Sequence, residues 1–213
     1  NPIRIHMKKI ISAVLAGFSL FALVSCTSEV TLTAQKDGSV KVNFDGKCGP
    51  YFETMLRSFS DAQNDPLFDV SAIKTSFITD GFKNVAVKAP DSVSISVDMI
   101  SPKTTYLFSS GLVIAEENNV FLKVSPAILK NFYKAADDDI ISVLDLLLAP
   151  VFNDEVMSEE EYLDTIGSFY GEDASAEIGS CEIKLKLVST DGKKKEVSVP
   201  LTKLLTLTET VGY

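Results

Sequence analysis

The chain has 213 residues, 46% of them hydrophobic, and a formal net charge of −9. That length and composition suit one domain with a sizeable core, and the acidic balance argues against nucleic acid and anionic lipid surfaces as general partners. There is one histidine and no tryptophan, so histidine-based catalysis depends entirely on where that single residue falls.

The first element is Met7-Lys8-Lys9, a charged start, followed by an apolar run from Ile10 to Val24 and then by Leu23-Val24-Ser25-Cys26. A basic n-region, a short apolar h-region and a small residue before the cysteine form a secretory signal. The run is too short for a good spanning helix, which needs about 20 residues. The tetrapeptide resembles the lipobox of bacterial lipoproteins. That resemblance makes Leu23, Val24 and Ser25 the recognition residues and Cys26 the mature N-terminus. Cys26 then carries a diacylglyceryl thioether and an N-acyl chain such as palmitate, and anchors the protein to a membrane of the cell envelope. Asn1 to His6 precede the natural-looking start Met7 and read as a vector remnant or upstream translation. Residues 7–25 are then the signal peptide, residues 26–29 a lipidated N-terminus with a short tether, and residues 30–213 a single envelope domain.

Cleavage before Cys26 removes Arg4, Lys8, Lys9 and His6 but no acid, and leaves the mature chain at −12. A domain without histidine has no Ser-His-Asp or Cys-His mechanism and lacks the commonest catalytic zinc ligand. With Cys26 acylated, Cys48 and Cys181 are left either as a disulfide in an oxidising compartment or as two buried thiols.

Past the anchor, Val30, Leu32 and Ala34 alternate with Thr31 and Thr33. Asp37-Gly38 turns, and Val40, Val42 and Phe44 alternate again, which predicts a hairpin. Gly49-Pro50 opens a helix whose buried face is Phe52, Met55, Leu56 and Phe59. A loop through Asn64-Asp65-Pro66 leads to a second helix bearing Val70, Ile73 and Phe77 and ended by Gly81. Strands follow over 82–88 and 93–97, turning at Pro90-Asp91. A third hairpin spans 112–115 and 120–124, while Tyr106-Leu107-Phe108 is open between states.

Ser125-Pro126 is a helix start with proline at the first helical position, and Ile128, Leu129, Phe132 and Ala136 set the buried face. Asp137 to Asp139 begin a further helix over 140–148, apolar nearly all round, that stops before Pro150. Ser158 and Glu161 match a capping box, with Met157 and Tyr162 at the staple positions. Cys181, Ile183, Leu185 and Leu187 then alternate into the Asp191-Gly192 turn and a final strand over 196–199. Leu201, Leu204 and Leu205 are a helical turn or an edge strand.

Four hairpins with helices between them predict an α+β fold, an antiparallel sheet packed on one face by helices, with a helix-grip-like curl as a variant. The order of anchor, Asp-Gly hairpin, helix, Asp-Pro loop, helix and Gly-Phe strand is similar to the start of LppM-type lipoproteins. It rests on Asp37, Gly38, Ser39, Asp65, Pro66, Gly81 and Phe82, and covers Cys26 to about Val97. The resemblance implies a helix-grip-like domain with an apolar cavity; no terminal membrane helix of the kind common in that family is present in the sequence.

Ser71-x-x-Lys74 has the spacing of penicillin-binding enzymes but lacks their companion motifs and sits on an ordinary amphipathic helix. Gly167 to Gly171 has its serine in the wrong place for a nucleophile elbow. The acids from Asp154 to Glu177 read as a solvated face rather than a cation site, since no EF-hand spacing is present. Lys193-Lys194-Lys195 reads as a solubilising hairpin tip. No catalytic residue, cofactor or metal site is expected.

Ile140, Ile141, Leu144, Leu147, Leu148 and Phe152 form the most apolar stretch of the mature chain. They are either a helix buried against the sheet or the lining of a groove for an acyl chain. The function expected is therefore a non-enzymatic lipid-anchored protein that binds a hydrophobic ligand such as a lipid. The alternative is an interaction lipoprotein with a filled core and an acidic face that meets another envelope protein.

Overall fold

Period-two alternation sorts the strands of the computed structural model, which describes residues 27–58, 67–135 and 138–213. In β1 (Thr27–Ala34) Val30 and Leu32 are buried, and in β2 (Val40–Lys47) Val40, Val42 and Phe44 are buried; the residues between them are more exposed. The two strands pair antiparallel from Thr27↔Lys47 to Ala34↔Val40. Between them the Asp37 carboxylate accepts the backbone N–H of Ser39 at 2.9 Å and its hydroxyl at 2.6 Å. Gly38 there has φ +80°, a conformation side chains rarely adopt, and a Cβ on it would stand 2.5 Å from Lys103.

α1 (Pro50–Ser58) and α2 (Val70–Thr79) follow. The expected Phe59 and the Asn64-Asp65-Pro66 loop lie outside the described residues. Asp69 caps α2 by accepting from Ser71 N and Ala72 N, and Ile73 and Phe77 are its buried face. β3 (Lys83–Lys88) and β4 (Ser94–Ser101) form the second hairpin, with β4 paired to β2 on its other side. Tyr106–Ser109 is a short helix, α3. β5 (Val113–Glu116) and β6 (Asn119–Val124) form the third hairpin.

α4 (Pro126–Ala135) begins where Ser125 Oγ accepts Ile128 N, and it buries Ile128, Leu129 and Phe132. Ala136 and Asp137 are outside the described residues. α5 (Asp138–Phe152) runs on through Pro150, past the expected stop at residue 148. Proline removes one N–H and loosens the preceding turn, but Asn153 N reaches Ala149 O and Glu155 N reaches Pro150 O, and Val151 is buried. The last turn is thus held by packing. α6 (Glu159–Tyr170) carries the predicted capping box between Ser158 and Glu161. α7 (Glu172–Ser180) is an element the sequence reading missed. β7 (Glu182–Val188) and β8 (Lys194–Pro200) form the fourth hairpin; α8 (Leu201–Leu205) and β9 (Val211–Gly212) close the described chain.

The fold is α+β, and all four hairpins are present. The large sheet has the order β3-β4-β2-β1-β7-β8, and a small one has β5-β6-β9. One expectation is corrected: the large sheet is mixed, because β1 pairs parallel with β7 from Thr27↔Glu182 to Thr33↔Val188. A parallel pair needs a crossover, and everything from β2 to α7 lies within it. One face of the sheet, including Leu32, Val42, Phe44, Val97, Met99 and Leu185, is continuous with the buried residues of the helices in a single core.

Candidate functional site

The sheet has two ends, set by register. At one end stand Thr27, Lys47, Ser94, Glu182 and Pro200, linked through the pairs Thr27↔Lys47, Lys47↔Ser94, Thr27↔Glu182 and Glu182↔Pro200. At the other lie the Asp37-Gly38 and Asp191-Gly192 turns. Leu23, Val24, Ser25 and Cys26 fall outside the described residues. Residues 27–29, expected as part of a short tether, are the first residues of β1, because both neighbouring strands extend far enough to pair with them.

Cys48 and Cys181 follow Lys47 and precede Glu182, and so stand at this same end on either side of β1. Both are buried and they are not bonded to each other. Neighbouring strands are about 4.8 Å apart, so strands flanking a third are separated by about 10 Å. That exceeds the ~7 Å limit for bridging Cα atoms. Cys48 N donates to Val93 O at 3.0 Å, and Cys181 Sγ to Glu177 O at 3.0 Å.

From Cys48 the chain turns at once into α1, whose first N–H groups are received by a carboxylate far away in sequence. Glu177 of α7 accepts Tyr51 N at 2.8 Å and Phe52 N at 2.9 Å. A helix N-terminus favours such an anion. α6 and α7 form a tight antiparallel hairpin in which Gly167 meets Ser175 and Gly179 meets Leu163, where a Cβ on Gly179 would come within 3.2 Å. The turn of that hairpin presents Phe169, 76% exposed, and Tyr170, 47% exposed, with ring centroids 6.3 Å apart. Tyr170 also lies near Tyr51: the Tyr51 phenol is pushed above its ordinary pKa by burial first, then by Tyr170 and Glu177. Three aromatic rings thus gather beside the start of α1.

The candidate groove resolves differently. Leu144, Leu147 and Leu148 are buried in the core with Val151, and Phe152 is half-buried with its ring 4.3 Å from that of Tyr133. Ile140 and Ile141 lie in α5, but their side chains are outside the described residues. The buried Tyr162 hydroxyl donates to Leu147 O at 2.9 Å, in the turn that Pro150 loosens. Leu144, Leu147 and Leu148 are thus part of the buried core cluster.

The other candidate motifs are placed as follows. Ser71 and Lys74 are exposed on α2, beside an open groove of about 520 Å³ lined by Asp69, Ser71, Thr75, Ser76 and Thr79. Thr75 and Thr79 donate to carbonyls one turn back, Ser71 O and Thr75 O. Four acids of the 154–177 stretch have separate structural uses: Asp154 pairs with Lys130 at 2.6 Å, Glu161 closes the capping box, Glu159 receives the Thr202 hydroxyl, and Glu177 caps α1. Among the described residues no group of three His, Cys, Asp or Glu side chains is placed to hold a metal ion. Lys193 pairs with Asp191 at 2.9 Å, and Lys194 and Lys195 begin the edge strand β8. Charged lysines there discourage edge-to-edge pairing.

Among the described residues no helix is long and apolar enough to cross a membrane. The chain matches no protein-family model, no curated protein and no solved structure.

Proposed function

We propose that the chain is a bacterial envelope lipoprotein, anchored through Cys26 and without catalytic activity, whose domain serves interaction rather than ligand carriage. The anchor half of this reading rests on Leu23-Val24-Ser25-Cys26 after a charged start and an apolar run. The interaction half rests on one observation: the leucines of α5 that were candidates for a ligand groove are packed in the core. The mature surface, at −12, is acidic and suits a basic or neutral protein partner rather than nucleic acid.

Two measurements on the full chain, expressed in a bacterial host, test the two halves. The N-terminal peptide of the purified protein is expected to begin at Cys26 with a diacylglyceryl adduct in its mass spectrum. The Cys26→Ala variant should move from the detergent to the aqueous phase on partitioning; its retention in detergent would contradict the anchor. Native and denatured masses of the acylated protein should agree. A discrete excess mass lost on denaturation would favour a bound hydrophobic ligand instead.

A further inference from the structure

Four of the chain's glycines directly follow an aspartate: Asp37-Gly38, Asp45-Gly46, Asp80-Gly81 and Asp191-Gly192. Such a pair has a chemistry of its own. With no side chain on the glycine to obstruct it, the glycine nitrogen can attack the aspartate Cγ and close a five-membered imide. That step needs a carboxyl group free to turn toward the nitrogen and, as the electrophile, uncharged. The fold withholds these conditions from three of the four pairs.

Asp37 is tied to Ser39 through its backbone N–H and its hydroxyl, and Asp191 to the Ser189 hydroxyl, Lys193 N and Lys193 Nζ. Gly38 is also packed against Lys103. Asp45-Gly46 lies inside β2, extended and paired with β1 on one side and β4 on the other. Asp80 differs from all of these. It is the exposed C-cap of α2, and partial burial of its carboxyl raises the pKa with no hydrogen bond or neighbouring charge to oppose the shift. The space around Gly81 is open, since a Cβ there would meet nothing within 4 Å. Helix ends fray and open locally at low cost, which lets this peptide rotate.

We infer that Asp80-Gly81 is a site of spontaneous backbone isomerisation. Gly81 N attacks Asp80 Cγ, and the new C–N bond forms as the carboxyl hydroxyl leaves with the amide proton as water. Water then returns to one of the two ring carbonyls. Addition at Cγ breaks the new bond and restores aspartate. Addition at the main-chain carbonyl breaks the original peptide bond and leaves isoaspartate, with the chain running through Cβ. No oxidant or cofactor is consumed, and the net mass is unchanged. The position gives the product its effect: Gly81 N donates to Ile78 O at 3.1 Å, Phe82 N donates to Phe77 O at 3.0 Å, and the two phenylalanine rings meet at 5.2 Å. These bonds and the apolar contact close the helix end together. An extra main-chain atom inside that closure loosens the junction of α2 with β3.

The freshly purified full chain is held at physiological temperature and mildly acidic pH in water enriched in oxygen-18, both natively and in urea. It is then digested and its peptides are fragmented by electron transfer. Isoaspartate is recognised by cleavage of its main-chain Cα–Cβ bond, and the heavy oxygen marks isomers formed during the incubation. In the native chain isoaspartate should accumulate at residue 80 several-fold faster than at residues 37, 45 and 191. In urea, which removes the bonds that set the four pairs apart, the yields should converge. A native chain with no isoaspartate at residue 80, or with as much at any of the other three, overturns the inference. So does a preference for residue 80 that persists in urea, since neighbouring side chains rather than the fold would then be choosing the site.

Discussion

Three turn aspartates, Asp37, Asp91 and Asp191, repeat one device: each carboxylate accepts hydrogen bonds from a serine hydroxyl and a backbone N–H two or three residues away in sequence, and each is held below the ordinary aspartate pKa by those bonds. The effect is largest at Asp191, lowered to about 2, where the Ser189 hydroxyl is the leading cause and Lys193 adds to it. A carboxylate whose folded pKa is depressed contributes stability that is present above its unfolded value and is lost as the pH falls through the folded one. The Asp191 contribution is therefore complete at neutral pH and disappears between about pH 4 and about pH 2. Ser189→Ala should raise the Asp191 pKa toward the ordinary value, as read by carboxyl-carbon NMR titration. An unchanged pKa would show that Lys193 and the backbone carry the effect alone.

The helices differ in how far their ends are written locally. α6 has Ser158 and Glu161 within its first turn, so its start is legible. α1 has no such box and borrows Glu177 from α7. Glu177→Ala leaves two N–H groups at the start of a helix without their carboxylate, and charge-assisted bonds contribute roughly 1.5–3 kcal/mol each at the upper end of context. A loss of about 1–3 kcal/mol in unfolding free energy, read by urea denaturation, is expected, and Glu177→Gln should lose less. Sequence reading found the strands because alternation is local, as in Cys181-Ile183-Leu185-Leu187. It missed α7 because Ala174 and Ile178 are that helix's only fully buried side chains, too few to set a period against the surrounding acids. It stopped α5 at residue 148 because a proline inside a helix is costly, and the burial of Val151 that offsets this is a tertiary fact.

At the scale of the whole molecule, register carries what local pattern does not. The cysteines at 48 and 181 are far apart in sequence, and only the β2-β1-β7 order brings them to one end of the sheet, where they are not bonded to each other. Periodicity likewise marks Leu144, Leu147 and Leu148 as apolar but does not say what covers them; their burial in the core cluster is a tertiary fact. The same order ranks the sheet's stability. β1 and β2 are each paired on both sides, whereas β3 and β8 are edges. Amide hydrogen exchange should therefore be slowest in Val30–Leu32 and Val42–Phe44 and faster in β3 and β8. Equal protection across the six strands would mean that the sheet opens only as a unit.

The parallel partnership of β1 and β7 also dictates an order of events at birth. A chain emerging from its N-terminus can close β1 with β2, and β2 with β4, while most of the polypeptide is still to come. The other edge of β1 must wait for residues 182–188. During that interval Val30 and Leu32 sit on an open strand, the kind of edge that recruits another copy of itself. The nascent chain is thus most vulnerable to misassociation in the stretch between the appearance of β4 and that of β7, and a stalled or truncated product ending before residue 182 would keep that sticky edge permanently.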